Sequence, residues 1–419
     1  MARLDILVLG INYAPEVTGV ARYTTGVTRR LAAEGHRVQV LTGFPHYPAW
    51  SFTPGYEKGW RRREQHGDVE VLRLRAPLPR NTRGPARVLM EAVFAAQSAV
   101  GGMRDPDLIL VMSPALLTVA TALARRGRKN APVGVMVQDL YSRAFPETGA
   151  MYGHGGTAVS RLERGLFRRA DGLAVIHDRL KHTLTELGVE ADRIDVIRNW
   201  SHVTPPSGAA REEIRAARGW SPDEIVVLHA GNMGYKQGLE NVVDAARLAD
   251  QTEAPVRFVL LGDGARRPAL EERAAGVQRI EFISPLPATE FSDAMAAADL
   301  CLLNEKPGLA EMCVPGKLTS YFAAGRPVLA ATDPRSGGAA EITAAGAGVL
   351  VPAAEPTLLL KAATALCEDR TQYAAMSRAG LAYAEAILDE DEALGAYVDW
   401  ALSLVDARQG SRALVGTRR

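Results

Sequence analysis

The strongest constraint on the fold of this chain is a regular alternation of short apolar runs with longer amphipathic runs, which occurs in both halves. The short β-branched runs predict strands, and segments between them, such as residues 20–34 and 88–103, have helical periodicity. Such alternation predicts parallel sheets covered by helices. Near-continuous apolar runs such as residues 108–111 are typical of strands buried on both faces. We therefore expect an α/β protein with two doubly wound domains.

The length of 419 residues also favours two domains, because single hydrophobic cores stop growing well below this size. A Pro-, Gly- and Ser-rich stretch at residues 202–208 breaks both periodicities and marks the boundary. We expect an N-terminal domain at residues 1–200, a linker at 201–220, a C-terminal domain at 221–388, a helix at 389–410 and a frayed polar tail at 411–419. The expected strands are residues 5–10, 37–42, 69–75, 107–113, 133–139, 173–177 and 194–198, followed by 225–230, 257–262, 279–283, 299–303, 328–332 and 348–351.

The charge of the chain is unevenly distributed. Residues 1–200 contain 28 Lys or Arg and 19 Asp or Glu, a net charge of +9, whereas the remainder carries −8. This asymmetry is typical of a surface that faces anionic lipid, or simply of a solvated Arg-rich surface. The N-terminus lacks the layout of a signal peptide, and no apolar run approaches the roughly 20 residues of a membrane span. We expect a cytoplasmic protein that is peripheral at the inner face of the plasma membrane and binds no nucleic acid.

Three Gly-containing turns follow predicted strands and precede predicted helices. They contain Gly19, then Gly231 with Asn232 and Lys236, and finally Pro315-Gly316-Lys317. Unpaired N–H groups at a helix start suit a phosphate, and a lysine there adds positive charge. Lys236 is interpreted as a group that neutralises a leaving diphosphate, with an ordinary surface lysine as the alternative.

Taken together, these residues resemble the GT-B glycosyltransferases, specifically family 4 of the retaining nucleotide-sugar enzymes. The resemblance covers nearly the whole chain and is nearest to bacterial polysaccharide-assembly members of the colanic-acid fucosyltransferase type. The matching segments are residues 10–19, 44–48, 231–238, 261–264, 297–299, 315–317 and 324–328. The resemblance implies two Rossmann-like domains facing each other across a cleft, with the C-terminal helix returning to the first domain.

The resemblance also implies which residues act. The second domain would bind the nucleotide-sugar donor, and the first would bind an acceptor that is a glycan, a lipid-linked sugar or a small molecule. Asp139 matches the place of a family His or Asp that steadies the oxocarbenium-like state, with an N-cap or turn role as the alternative. The implied catalytic residues are Asp139, Lys236 and Lys317; the donor-binding residues are Gly19, Gly231, Asn232, Leu286, Glu311, Val314, Pro315, Gly316 and Ser320; and the acceptor-side residues are Glu16, His46 and Tyr47.

The sequence departs from the family pattern at the expected pair of glutamates. The two family positions fall on Met312 and Ser320, and the second family Glu normally binds the nucleotide ribose. Glu305 and Glu311 are candidates to supply the missing carboxylate, whereas Glu341 matches a Glu that the family often has. The departure leaves UDP and GDP as alternative donor nucleotides.

Metal chemistry is not expected, and the nucleotide sugar is a substrate, so we expect no cofactor. Asp105-Pro106-Asp107 resembles a D-x-D motif but precedes its strand, and no His or Cys group has ligand spacing. The expected activity is that of a retaining, metal-independent glycosyltransferase in cell-surface polysaccharide or glycoconjugate assembly. The alternatives are a natural-product glycosyltransferase with a soluble acceptor, a nucleotide-sugar epimerase or phosphorylase of the same architecture, and a non-catalytic nucleotide-sugar-binding protein.

Overall fold

The computed structural model describes residues 3–16, 19–47, 49–79, 85–140, 154–308 and 315–416. The chain forms two compact units. The first comprises Met1–Arg198 together with Asp391–Arg419, and the second comprises Asn199–Glu390.

The first unit is built on an eight-stranded sheet in the order β3-β4-β2-β1-β5-β6-β7-β8. Its strands are β1 (Asp5–Leu9), β2 (Arg37–Gly43), β3 (Arg61–His66), β4 (Val69–Leu74), β5 (Leu108–Ser113), β6 (Val133–Val137), β7 (Gly172–Val175) and β8 (Ile194–Val196). Within the described residues, its helices before the C-terminal one are Val20–Ala33, Pro85–Val100, Leu116–Ala124, His154–Phe167 and Asp178–Glu186, with a 3₁₀ turn at Ala191–Arg193. The central strand β1 pairs in parallel with β2 and with β5, so that Val8 lies beside both Val40 and Leu110.

Strand β3 was missed by the sequence prediction. Its residues, Arg61–His66, are polar throughout and show no apolar alternation. It is antiparallel to β4 and lies at the edge of the sheet, where one side of a strand has no neighbour to pack against. Polar sequence is compatible with that position, which explains why apolar patterning could not reveal the strand.

The C-terminal helix, Glu390–Gly416, packs on the first unit. Two strand glycines leave room for it. A Cβ on Gly134 would lie 2.7 Å from Leu404 Cδ1, and a Cβ on Gly172 would lie 2.6 Å from Leu404 Cδ2. The expected return of this helix to the first domain is confirmed. The predicted polar tail from residue 411 is wrong as far as Gly416, because the helix continues to that residue.

The second unit contains a six-stranded, all-parallel sheet in the order β11-β10-β9-β12-β13-β14. Its strands are β9 (Ile225–Ala230), β10 (Val256–Leu261), β11 (Ile280–Ile283), β12 (Leu300–Asn304), β13 (Val328–Ala331) and β14 (Gly348–Val351). Its helices are Arg211–Ala217, Glu240–Gln251, Arg267–Arg273, Ala288–Ala297, Lys317–Ala323, Gly337–Ala345, Pro356–Glu368 and Arg370–Ile387, with a 3₁₀ turn at Tyr235–Gln237. Alternate residues of β9 enter different apolar clusters, Val226 and Leu228 one and Val227 the other, so the sheet is covered on both faces as expected.

The segment predicted as a linker, residues 201–220, belongs to the second unit instead. It contains the helix Arg211–Ala217, and Trp220 is buried in one of the two apolar clusters. The buried Arg215 donates to Asp299 at 3.0 Å and to the carbonyl oxygen of Ser221 at 2.6 Å. These contacts attach the segment to the second sheet, and its Pro-rich start misled the prediction.

Candidate active site

The second sheet reverses its winding direction between β9 and β12. In open α/β sheets, ligands bind at the carboxyl ends of the strands that flank such a switch point. Here those ends are Ala230 and Asn304. The predicted residues Gly231, Lys236 and Lys317 all lie on segments that begin near this edge.

A pair of glycines shapes the loop after β9. Gly231 N donates to Leu261 O at 2.8 Å, and a Cβ on Gly262 would lie 2.0 Å from Gly231 O. Both glycines have positive φ, 127° for Gly231 and 139° for Gly262. The backbones that follow β9 and β10 therefore approach more closely than side chains would permit.

Asn304, which is 1% exposed, fastens this loop to β12. Its amide Nδ2 donates to Gln237 O at 2.7 Å and to Gly238 O at 3.0 Å, and its Oδ1 accepts from Asn241 Nδ2 at 2.8 Å. The Lys306 amide donates to Lys236 O at 2.9 Å. The backbone that carries Lys236 is thus held in place. Asn304 was not predicted as a site residue, although an amide at the end of the apolar run LCLLN is a detectable signal.

The ammonium of Lys317 lies beside the ring of His229. Lys317 Nζ is 3.4 Å from His229 Nδ1 and 3.3 Å from Nε2. Burial, followed by the charge of Lys317, lowers the pKa of His229 well below its usual value, so that the ring is neutral. His229 also was not identified as a site residue. A histidine within the otherwise apolar strand IVVLHA is the signal that was available.

Burial also lowers the pKa of Lys317 to about 7, against an opposing effect of Glu305. The residue as a whole is half-buried. A Cβ on Gly231 would lie 3.9 Å from Lys317 Nζ, so the glycine leaves the ammonium uncovered on that side. A lysine that titrates near neutral pH, next to backbone that no side chain covers, is suited to bind an anion.

Glu305 is the carboxylate of a polar cluster that also contains Lys317, Lys236 and His229. It accepts from Thr332 Oγ1, which also contacts Ser336 Oγ at 2.9 Å. Burial raises the pKa of Glu305, whereas the hydrogen bonds of Thr332 and Ser336 and the charges of Lys317 and Lys236 lower it. Of the two candidates for the missing family carboxylate, Glu305 lies in the cluster, and Glu311 lies outside the described residues.

The remaining donor-side residues differ in their surroundings. Gly316 is exposed, Asn232 is exposed, and Ser320 is buried one turn after Lys317. Leu286, like Ile283, packs partly against the apolar core. Pro315 lies 3.3 Å from where a Cβ of Gly338 would stand. Val314 and Met312 fall outside the described residues.

Glu341 has a structural partner. It is buried, and its Oε1 accepts from the Tyr383 hydroxyl at 2.8 Å. Tyr383 belongs to the helix Arg370–Ile387, so this contact ties that helix to Gly337–Ala345.

In the first unit, the structure brings the predicted acceptor-side residues together after β1 and β2. Glu16 is buried, and its Oε1 accepts from the backbone amides of His46 at 2.7 Å and Tyr47 at 2.8 Å. Its other oxygen accepts from Asn12 Nδ2 at 2.9 Å. The carboxylate therefore fixes the loop that presents His46 and Tyr47. Tyr47 is 38% exposed, and a Cβ on Gly19 would lie 3.4 Å from its ring.

Asp139 follows β6, which is separated from β1 by β5. It is half-buried, and its Oδ1 accepts from the amide of Leu140 at 2.8 Å. That contact is compatible with the turn role considered from the sequence, and it leaves the catalytic role a prediction.

Two kinds of site are absent from the described ranges. No group of three or more His, Cys, Asp or Glu residues there is arranged to hold a metal ion. Among the helices described, none combines the length and apolar character that crossing a bilayer requires.

Comparison with known proteins gives two family matches. Residues 18–200 match the glycosyl transferase 4-like domain, and residues 224–369 match the glycosyl transferases group 1 domain. An Escherichia coli (strain K12) protein named as the colanic acid biosynthesis glycosyl transferase WcaI is 32% identical over 337 residues, which is 77% of this chain and 82% of the relative. The Pseudomonas aeruginosa glycosyltransferase WbjE is 26% identical over 68% of this chain and 72% of its own length.

Solved structures also resemble this one. Sucrose-phosphate synthase from Thermosynechococcus elongatus matches with a TM-score of 0.69 at 16% identity, covering 99% of this chain and 100% of that chain. Anabaena Alr3699/HepE, solved in complex with UDP, matches with a TM-score of 0.67 at 19% identity, covering 96% and 100%. At these identities the likeness is one of fold.

Proposed function

Because this chain belongs to family 4 of the GT-B glycosyltransferases, we propose that it transfers a sugar from a nucleoside-diphosphate sugar to an acceptor hydroxyl, with retention of configuration and without a metal ion. The observation that carries the proposal is the group formed by Lys317, neutral His229 and Gly231 at the switch point of the second sheet. The structurally similar Anabaena Alr3699/HepE was solved in complex with UDP, which agrees with a nucleotide donor.

The proposed chemistry is electrostatic. Negative charge grows on the diphosphate as the bond to the sugar breaks, and positive groups fixed in advance stabilise it. Lys317 and Lys236 supply the charge, and the exposed Gly316 supplies open backbone at the start of the helix Lys317–Ala323. With this compensation from lysines and amides, the leaving group needs no divalent cation.

Retention places the acceptor hydroxyl on the face from which the diphosphate departs. We assign Asp139 the role of steadying the oxocarbenium-like sugar, and Glu16 the role of fixing His46 and Tyr47 for acceptor contact. The Glu16 assignment differs from direct acceptor contact, because its oxygens are already engaged by protein N–H groups.

The acceptor that we propose is a lipid-linked sugar of polysaccharide assembly. The name of the Escherichia coli relative refers to colanic acid biosynthesis. The first 200 residues of this chain carry a net charge of +9, which favours binding to an anionic membrane. A soluble natural-product acceptor is the second candidate, and the exposed Tyr47 beside Gly19 is the observation that favours it, since an aromatic surface also suits a small apolar acceptor.

The direct test is release of nucleotide from a panel of UDP-sugars and GDP-sugars by the purified protein, with and without lipid-linked acceptors. We expect release to depend on Lys317, so that Lys317→Met loses at least about 100-fold in rate. Lys361→Met, at an exposed position of the helix Pro356–Glu368, is the matched control and should retain full activity. Silence of the wild-type protein with every donor and acceptor would leave the non-catalytic binding protein as the better account.

Anomeric configuration of the product, read by NMR couplings, distinguishes retention from inversion. Activity that survives exhaustive chelation supports a metal-independent reaction. Conversion of the donor sugar to its epimer in the absence of acceptor would show that the protein is an epimerase and not a transferase.

A further inference from the structure

The helix Pro85–Val100 presents an apolar side to solvent. Its exposed residues are all apolar: Ala86, Val88, Leu89, Ala96, Ala99 and Val100. Val100 is 77% exposed, and Val88 and Leu89 are each 56% exposed. A surface helix of a soluble domain normally carries charged or polar residues on this side, so a continuous apolar one indicates a partner.

The two charged residues of the helix, Arg87 and Glu91, do not make this exposed side polar. Arg87 Nε donates to Glu91 Oε1 at 3.1 Å, and Glu91 is 5% exposed. Arg87 also lies over the ring of Trp50, 5.1 Å from its centroid. Both charges are therefore engaged with protein groups.

The helix is attached to the neighbouring helix Leu116–Ala124 and to the end of β4. Arg125 donates to the carbonyl oxygens of Ser98, Gly101 and Met103 at the C-terminal end of the helix. Gln97 Nε2 donates to Arg75 O at 2.7 Å, and the Arg75 amide donates to Trp60 O at 3.0 Å. The apolar side is thus a fixed surface.

A basic rim borders this surface. An open groove beside Val100 is lined by Arg61, Arg62, Arg63 and Arg104, and the neighbouring Trp60 is 77% exposed. Within the described part of the chain, Arg61, Arg63 and Arg104 have no ion-pair partner, whereas Arg62 pairs with Glu64 at 3.0 Å. The rim therefore offers at least three uncompensated positive charges, and the residue that precedes Arg61 in the chain carries an exposed indole.

We propose that this surface, the outer side of Pro85–Val100 with Trp60, Arg61, Arg63 and Arg104, docks on an anionic lipid bilayer. Apolar side chains enter the boundary between headgroups and acyl chains, the indole lies at the headgroup level, and the guanidinium groups contact lipid phosphates. Charge complementarity favours a bilayer over a second copy of the chain, because a two-fold contact through this surface brings the same arginines close to one another.

The inference rests on the proposed function in one respect, since it supplies the membrane on which a lipid-linked acceptor is met. Vesicle binding is nevertheless measured without catalysis. Loss of binding with unchanged donor hydrolysis would remove this inference alone, whereas binding by a protein that hydrolyses no donor would remove the proposed function alone.

The test is co-sedimentation of the full-length protein with phosphatidylcholine vesicles containing about 30 mol % phosphatidylglycerol. At roughly fivefold per arginine, the Arg61→Glu, Arg63→Glu, Arg104→Glu triple variant should lose about 100-fold in partition. A second variant, Leu89→Ser with Val100→Ser, should bind more weakly at low and at high salt, since it removes the apolar contribution. Binding by the wild type should fall as NaCl rises from about 0.05 to 0.5 M.

The matched control is Arg161→Glu, Arg164→Glu, Arg168→Glu, which makes the same charge change at exposed positions in and just after the helix His154–Phe167. It should bind vesicles nearly as the wild type does, and circular dichroism checks that each variant is folded. Equal losses in both triple variants would overturn the proposal in favour of general basic charge. Failure to bind vesicles, with a dimer that Leu89→Ser and Val100→Ser dissociate, would overturn it in favour of self-association.

Discussion

Lys317 should make nucleotide binding depend on pH close to neutrality. In the nucleotide-free protein its pKa is lowered to about 7 from 10.5 by burial. A bound diphosphate favours the charged ammonium and raises that pKa again. Binding therefore takes up a proton wherever Lys317 is neutral beforehand, so affinity is full below about pH 7 and falls as the pH rises above it.

The magnitude follows from the pKa. With a value of about 7, roughly nine-tenths of the nucleotide-free molecules carry neutral Lys317 at about pH 8, and binding takes up about 0.9 proton there. Above about pH 8, affinity should fall about tenfold per pH unit. The total loss of affinity between about pH 7 and about pH 9 is about 50-fold, or about 2.3 kcal/mol, because the fall is shallower close to the pKa.

Isothermal titration calorimetry in two buffers of different ionisation enthalpy measures both the affinity and the proton uptake. The probe is whichever of UDP, GDP, dTDP and ADP raises the melting temperature in a thermal-shift screen. Lys317→Met should bind more weakly and should lack the fall in affinity that Lys317 causes, and any slope that remains in this variant measures titration of the nucleotide itself. A single slope shared by wild type and Lys317→Met would refute the role of Lys317, as would a wild-type profile that breaks near pH 10, the ordinary range of lysine.

Three further substitutions test other parts of the structure. Glu16→Ala leaves two backbone amides without their acceptor, and urea unfolding should show a loss of about 2–4 kcal/mol, with Glu16→Gln losing less; equal stability of both variants would contradict the assigned role. Gly262→Ala places a Cβ 2.0 Å from Gly231 O at a φ of 139°, so that it should cost at least about 3 kcal/mol in the same assay, and a wild-type melting temperature would refute the geometry. Asp139→Asn should lower kcat by about 100-fold with little change in the KM for the donor, and a selective rise in KM would instead indicate a role in donor binding.

The architecture was predictable because it is encoded locally. Strands such as β9 and β12 are short apolar runs in the sequence, and their alternation with helices indicates a parallel sheet before any contact is known. Glycines and lysines in the loops after those strands marked the donor-side residues. The edge strand β3, which has no apolar pattern, was missed for the same physical reason that makes the others visible.

The partners within the site were not predictable, because they come from distant parts of the chain. His229 meets Lys317 across 88 residues, and Glu305 meets Thr332 across 27. His229 and Glu305 can be noticed in the sequence, but only the fold gives His229 its neutral state and Glu305 its hydroxyl donor. The contacts of Glu16 were not predictable for a similar reason, since the amides from which it accepts lie about thirty residues away on a different loop.

The return of the C-terminal helix has a consequence for how the protein is made. All residues of the second unit, Asn199–Glu390, leave the ribosome before Leu404 and Trp400 do. Until those two side chains arrive, the surfaces of β6 and β7 around Gly134 and Gly172 stay uncovered. The domain that is synthesised first is therefore the last to be completed. During synthesis, the second unit must fold without binding the apolar surface that the first unit still exposes. A chain truncated near residue 390 should yield a sound second unit joined to a defective first one.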